Sequence, residues 1–115
     1  MSSEELNALW AVNFFIPPSG TAVFGSGVVV LNNGTLRGGD STYYYTGNYE
    51  INQGVFTAQV KIIHYSGPYN NLIGSVKETE AVLKGTPDQH EFEISGQYVN
   101  SQQPVTARLE RLAEL

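Results

Sequence analysis

The chain has 115 residues, a formal net charge of −5, twelve glycines and no cysteine. One domain spanning residues 1–115 is expected, with a core large enough to need no staple. Disulfides, a thiol nucleophile and a cysteine zinc site are excluded. The two histidines, His64 and His90, lie far apart in sequence, and the six Lys and Arg residues are scattered. No metal or cofactor is therefore expected, and an acidic chain without a basic patch is not expected to hold nucleic acid.

The N-terminus, "MSSEELNALW", lacks the basic and long apolar stretches of a leader, and the longest apolar runs, such as "VVVL" at 28–31, are too short for a membrane span. From there the chain reads with period two. In "LWAVNFFI" (9–16), Trp10, Val12, Phe14 and Ile16 share one face, and Pro17 to Gly20 break the strand. "TAVFGSGVVVL" (21–31) resumes it, with Gly25 and Gly27 on one face, as a bend or close backbone approach requires. "NNG" (32–34) suits a type I′ hairpin turn into the short strand "TLRG".

After "GGD" (38–40), "STYYYTGNYE" (41–50) forms a strand in which Tyr43, Tyr45 and Tyr49 share one parity and Tyr44 takes the other. "INQG" (51–54) is a hairpin loop, and "VFTAQVKIIHY" (55–65) a clear strand with Phe56, Ala58, Val60 and Ile62 on one face. Residues 66–78 read as an irregular loop holding one short helical turn near 71–76. Strands follow at 79–85, 90–99 and 104–112. The last of these, in "ARLERLAEL", also suits a helix, but the alternation of "VTARLERL" favours a strand. About eight short strands joined by tight turns make an all-β, antiparallel up-and-down barrel; a two-sheet sandwich is the second solution.

Few residues suggest chemistry. Asp40 after two glycines fits an Asx turn. His64 ends its strand as a hydrogen-bonded histidine or, with a tyrosine, as a general base. The glycines of "GSG" (25–27) lack the lysine and helix of a phosphate loop. Glu78, Glu80, Glu91 and Glu93 read as solvent-facing. The apolar parities of the strands outline a candidate cavity of Trp10, Val12, Phe14, Tyr43, Tyr45, Phe56, Ala58, Val60 and Ile62, with His64 near one mouth. The small residues Ala58, Gly25 and Gly27 leave room there, so an apolar pocket for a fatty-acid-like ligand is one expectation.

"LWAVNFF", "GSGVVVLNNGTLRGGDSTYYYTGNY" (25–49), "AQVKIIHYSG" (58–67) and "ARLERL" together resemble the GrlR-like proteins, negative regulators of type III secretion. The resemblance covers nearly the whole chain. It implies a lipocalin-like barrel in the cytoplasm, a homodimer without catalysis, which sequesters a transcriptional activator. It also implies an apolar interior open to a lipid-like ligand. In the repressor that names the family, an acidic Glu-Asp-Glu-Asp run after the tyrosine strand is needed to bind the activator. The matching partner loop here is Glu50, Ile51, Asn52, Gln53 and Gly54, with one acid.

Overall fold

The computed structural model describes residues 1–15, 23–68 and 77–115, with the side chains of Val23 and Phe24 excepted. Its strands are β1 (Ala8–Phe15), β2 (Val23–Asn32), β3 (Thr35–Gly39), β4 (Tyr43–Asn52), β5 (Val55–His64), β6 (Glu78–Gly85), β7 (Glu91–Tyr98) and β8 (Pro104–Ala113). Each pairs antiparallel with the next, and β8 returns to β1, closing the barrel in sequence order. Closure gives every strand a neighbour on both sides, so none is the edge strand that a sandwich would have kept. The helical turn expected near 71–76 lies outside the described residues, as do Ile16 and the start of the strand expected from residue 21.

The alternation explains the pairing. On β1 the even residues Ala8, Trp10 and Val12 are buried, and on β5 so are Phe56, Ala58, Val60 and Ile62. A one-residue slip would turn each set out to water, so burial fixes the register. At the C-terminal segment the same rule overrides helix propensity. Val105, Ala107 and Leu109 are buried at alternate positions of β8, and Leu109 sits opposite both Val12 and Phe92. A helix there would leave the barrel open.

A small barrel must coil its strands sharply, and glycine permits it. A Cβ on Gly47 would lie 2.0 Å from the Gln59 carbonyl oxygen, and one on Gly96 would lie 1.7 Å from that of Val82. Both positions face inward, where the neighbouring strand passes too close for any side chain. Two hairpins are equally demanding. Asn33 and Gly34 take φ of 49° and 89°, and Gln53 and Gly54 take 55° and 79°, as two-residue turns of the primed kind require.

The lower end of the barrel is plugged from the N-terminus. A 3-10 turn, Ser3–Leu6, carries Leu6 into the core with no exposed surface. The Ser2 N–H donates to Glu5 Oε1 at 3.1 Å, and Trp10 Nε1 donates to the Leu6 carbonyl at 2.9 Å. Arg111 clamps the plug from β8. Its guanidinium donates to the carbonyls of Glu5 at 3.1 Å, Gln89 at 3.3 Å and Asn7 at 3.3 Å, and lies 5.7 Å from the Trp10 ring centre.

Candidate functional site

The barrel interior has two halves. In the lower half aromatic rings meet without a gap. Trp10 and Phe92 pack edge-on at 5.4 Å, Phe56 and Phe92 at 5.2 Å, and Tyr49 stacks on Phe56 at 5.1 Å. Tyr49 donates its hydroxyl to the Ser3 carbonyl at 3.2 Å, and burial raises its pKa. Ala58, opposite Tyr49, has no exposed surface.

Above this layer lies an apolar void of about 30 Å³. Of the candidate cavity residues, Val12, Phe14, Tyr45, Val60 and Ile62 line it, closed by Leu36, Leu83 and Leu109 from other strands. Trp10, Tyr43, Phe56, Ala58 and His64 do not line it. The void takes on the order of one water-sized guest, whereas small-molecule pockets measure about 300 Å³ or more. This void by itself is smaller than a fatty-acid-like ligand would need. The physical reason is twofold. Phe92 fills space that the expected pocket left vacant. A Cβ on Gly27 would lie 2.5 Å from the Gly39 carbonyl oxygen, so backbone occupies the room that this glycine was expected to leave.

At the upper end the "GGD" break is a turn built on Asp40. Its Oδ1 accepts the N–H groups of Thr42 at 2.8 Å and Tyr43 at 2.7 Å, as an Asx turn does. Its Oδ2 accepts the Tyr45 hydroxyl, and its carbonyl accepts the Tyr65 hydroxyl. Burial, and then the hydrogen bond to the Asp40 carboxylate, hold the Tyr45 phenol far above its usual range. The Tyr45 hydroxyl is therefore committed within the protein. Tyr98, inward on β7, is pushed up to about 12 by burial.

His64 holds the Gly67 carbonyl at 2.6 Å through Nε2, and its ring meets the edge of Tyr43 at 5.5 Å. Its backbone N–H donates to Lys77 O at 2.7 Å. The imidazole thus braces the strand end, and its tyrosine neighbour contacts it as a ring. Among the described residues no cluster of three or more acidic or histidine side chains is placed to hold a metal ion.

The partner loop is tighter than a four-residue loop. β4 runs on to Asn52, and only Gln53 and Gly54 form the turn. Glu50, Asn52, Gln53 and Gly54 are exposed, but Ile51 packs partly buried against the core. The loop offers a partner Glu50 and two amides, with Val55 at 43% exposure beside them.

Outside the barrel, β1 and β2 differ from what a solvent-facing sheet wears. Their outward residues are Leu9, Ala11, Asn13 and Phe15, then Ser26, Val28, Val30 and Asn32, without one charge. The pairing registers continue the apolar row around the barrel: Ala11, Val28, Gly39, Tyr44 and Ile63 stand side by side on five strands. Val28 is 44% exposed, Tyr44 43% and Tyr65 56%. This surface was missed by reading parities only for their inward side. The sequence signal was "VVVL": a run without alternation at a place where the fold demands burial on one face only.

No known protein family profile matches this chain, and no curated protein does.

Proposed function

We propose that this barrel is a non-catalytic regulatory protein of the GrlR-like kind, a negative regulator of type III secretion genes that acts by holding a transcriptional activator. In this reading it works in the cytoplasm as a homodimer and touches no nucleic acid itself. The observation that carries the protein-binding part is the uncharged outer wall of β1 and β2, continued by Tyr44 on β4. A closed barrel does not need apolar residues on both sides of its strands. Contiguous apolar surface turned to solvent supports a contact with another molecule. The motif over residues 25–49 supports the regulatory part, by resemblance alone.

The rival reading, a carrier of a lipid-like ligand, is disfavoured by the void of about 30 Å³. Affinity capture of the tagged protein from its native cell, with mass spectrometry of proteins and lipids, tests both. Recovery of a transcriptional activator, with reporter expression rising when the barrel is deleted, is the expected result. Recovery of a stoichiometric lipid and no protein would replace this reading with the carrier.

A further inference from the structure

The upper part of the outer wall carries more than an apolar face. Tyr44 on β4 and Tyr65 just beyond β5 bring their rings to 6.2 Å, tilted by 56°. Both rings keep about half of their surface in water. Tyr65 is fixed in this pose, because its hydroxyl donates to the Asp40 carbonyl and its N–H donates to the Thr42 carbonyl at 2.9 Å. Two exposed rings at an open angle, one of them held, offer aromatic surface to solvent. The π-faces of such rings attract a cation. Of the charged groups nearby, Glu78 has the sign that would help, and exposed Lys77, whose carbonyl accepts the His64 N–H, has the opposite one. Glu78 stands across from Ile63, the neighbour of Tyr44, and is exposed. Lys61, two residues down β5, faces Glu80 across the strands. Among the described residues the recorded cation–ring contact is that of Arg111 with Trp10, at the other end of the barrel. On its other side Tyr44 borders Gly39, where no side chain stands, and then exposed Val28.

We infer that the Tyr44–Tyr65 pair is the docking point for a cationic side chain, arginine best, on a segment of the bound protein, with the Gly39 gap and Val28 receiving an apolar residue beside it. This rests on the reading of the barrel as a protein-binding regulator, and it names the chemistry of the bound segment. Arginine fits better than lysine because its planar guanidinium stacks on an aromatic face and sheds water more readily.

The test uses ¹⁵N-labelled full-length protein titrated with the peptide acetyl-Gly-Leu-Arg-Leu-Gly-amide and with its neutral citrulline twin. Saturable shifts centred on Tyr44, Ile63 and Tyr65 are expected from the arginine peptide. Replacing arginine by citrulline, or making Tyr44→Ala, should weaken binding by about threefold or more, while Tyr44→Phe should keep it. Tyr44 is exposed and its hydroxyl is not required, so both variants should fold. Equal binding of the two peptides overturns the inference. So do shifts spread over Glu91, Glu93 and Glu110, no binding at all, or a second copy of the chain already covering the pair. A captured activator that Tyr44→Ala retains in full sinks the docking point and leaves the regulator reading standing. A lipid captured in place of any protein sinks that reading itself.

Discussion

The outer walls of β1–β2 and β7–β8 meet along the β1–β8 seam and enclose the same core, yet they wear different residues. Inward they match: Trp10 and Val12 on one side, Phe92, Ile94, Ala107 and Leu109 on the other, all buried. Outward, β7 and β8 show Glu91, Glu93, Ser95 and Gln97, then Thr106, Arg108 and Glu110, the polar dress of a solvated sheet, with exposed Pro104 and Leu112 at the two ends of β8. β1 and β2 show none of those charges. The fold asks for the inward residues and is nearly indifferent to the outward ones, so the difference between the walls has to be sought in what each wall touches.

The comparison breaks first if the two inner faces are unequal. Trp10→Ala on β1 and Phe92→Ala on β7 should each cost about 3–5 kcal/mol, read from urea unfolding, because both open a cavity in the same aromatic cluster. A large cost on one side alone would mean that the walls differ in packing as well as in dress.

A second test addresses the inner face of β7. Tyr98 keeps its proton up to about 12 in the folded chain, while an unfolded tyrosine loses it near 10. Unfolding then releases a proton between these values, so stability is full below pH about 10 and falls as pH rises towards about 12. The loss should approach about 2–3 kcal/mol over that window. Tyr98→Phe should make this part of the pH–stability curve, measured by denaturant titration, shallower by that amount, with the remaining slope left to Tyr45 and Tyr49.

The outer walls are compared directly by charge insertion. Val28→Lys on β2 and Thr106→Lys on β8 should each change stability by about 0.5 kcal/mol or less. Only Val28→Lys should reduce capture of the partner. If Thr106→Lys does the same, the uncharged wall is not special. The smallest effect is expected from Glu93→Gln. It removes the 2.9 Å pair with Arg108, in which both side chains are about half exposed. No measurable shift in the urea midpoint should follow, since solvent screens such pairs.

Much of the barrel was legible because alternation and turn chemistry are local. Val12, Val60 and Ile62 declared themselves inward by parity, and Asn33-Gly34 declared its turn. Asp40 declared its Asx turn, but the donors from Tyr45 and Tyr65 depend on how β4 and β5 pair. The plug was half legible: Ser2 and Glu5 have the spacing of a capping pair, yet nothing local says that Leu6 enters a barrel. The Arg111 clamp joins residues about a hundred positions apart, which no window of sequence can show. The size of the interior was illegible for a related reason. It depends on how Phe92 meets Trp10 and Phe56, and on backbone passing where Gly27 has no side chain. The outer wall could have been found by asking of each strand which residues burial does not require.

The Arg111 clamp has a consequence for the order of the strands. By holding the carbonyls of Glu5 and Asn7 from the far end of β8, it sets the beginning and the end of the barrel side by side. In a closed ring of strands paired only with their sequence neighbours, no strand is structurally first. Bridging residues 1 and 115 with a short Gly/Ser linker and opening the chain between Asn100 and Ser101, in an exposed turn at the opposite end, would keep every pairing. The permuted chain would then begin with β8 and present the same inner core and the same two outer walls.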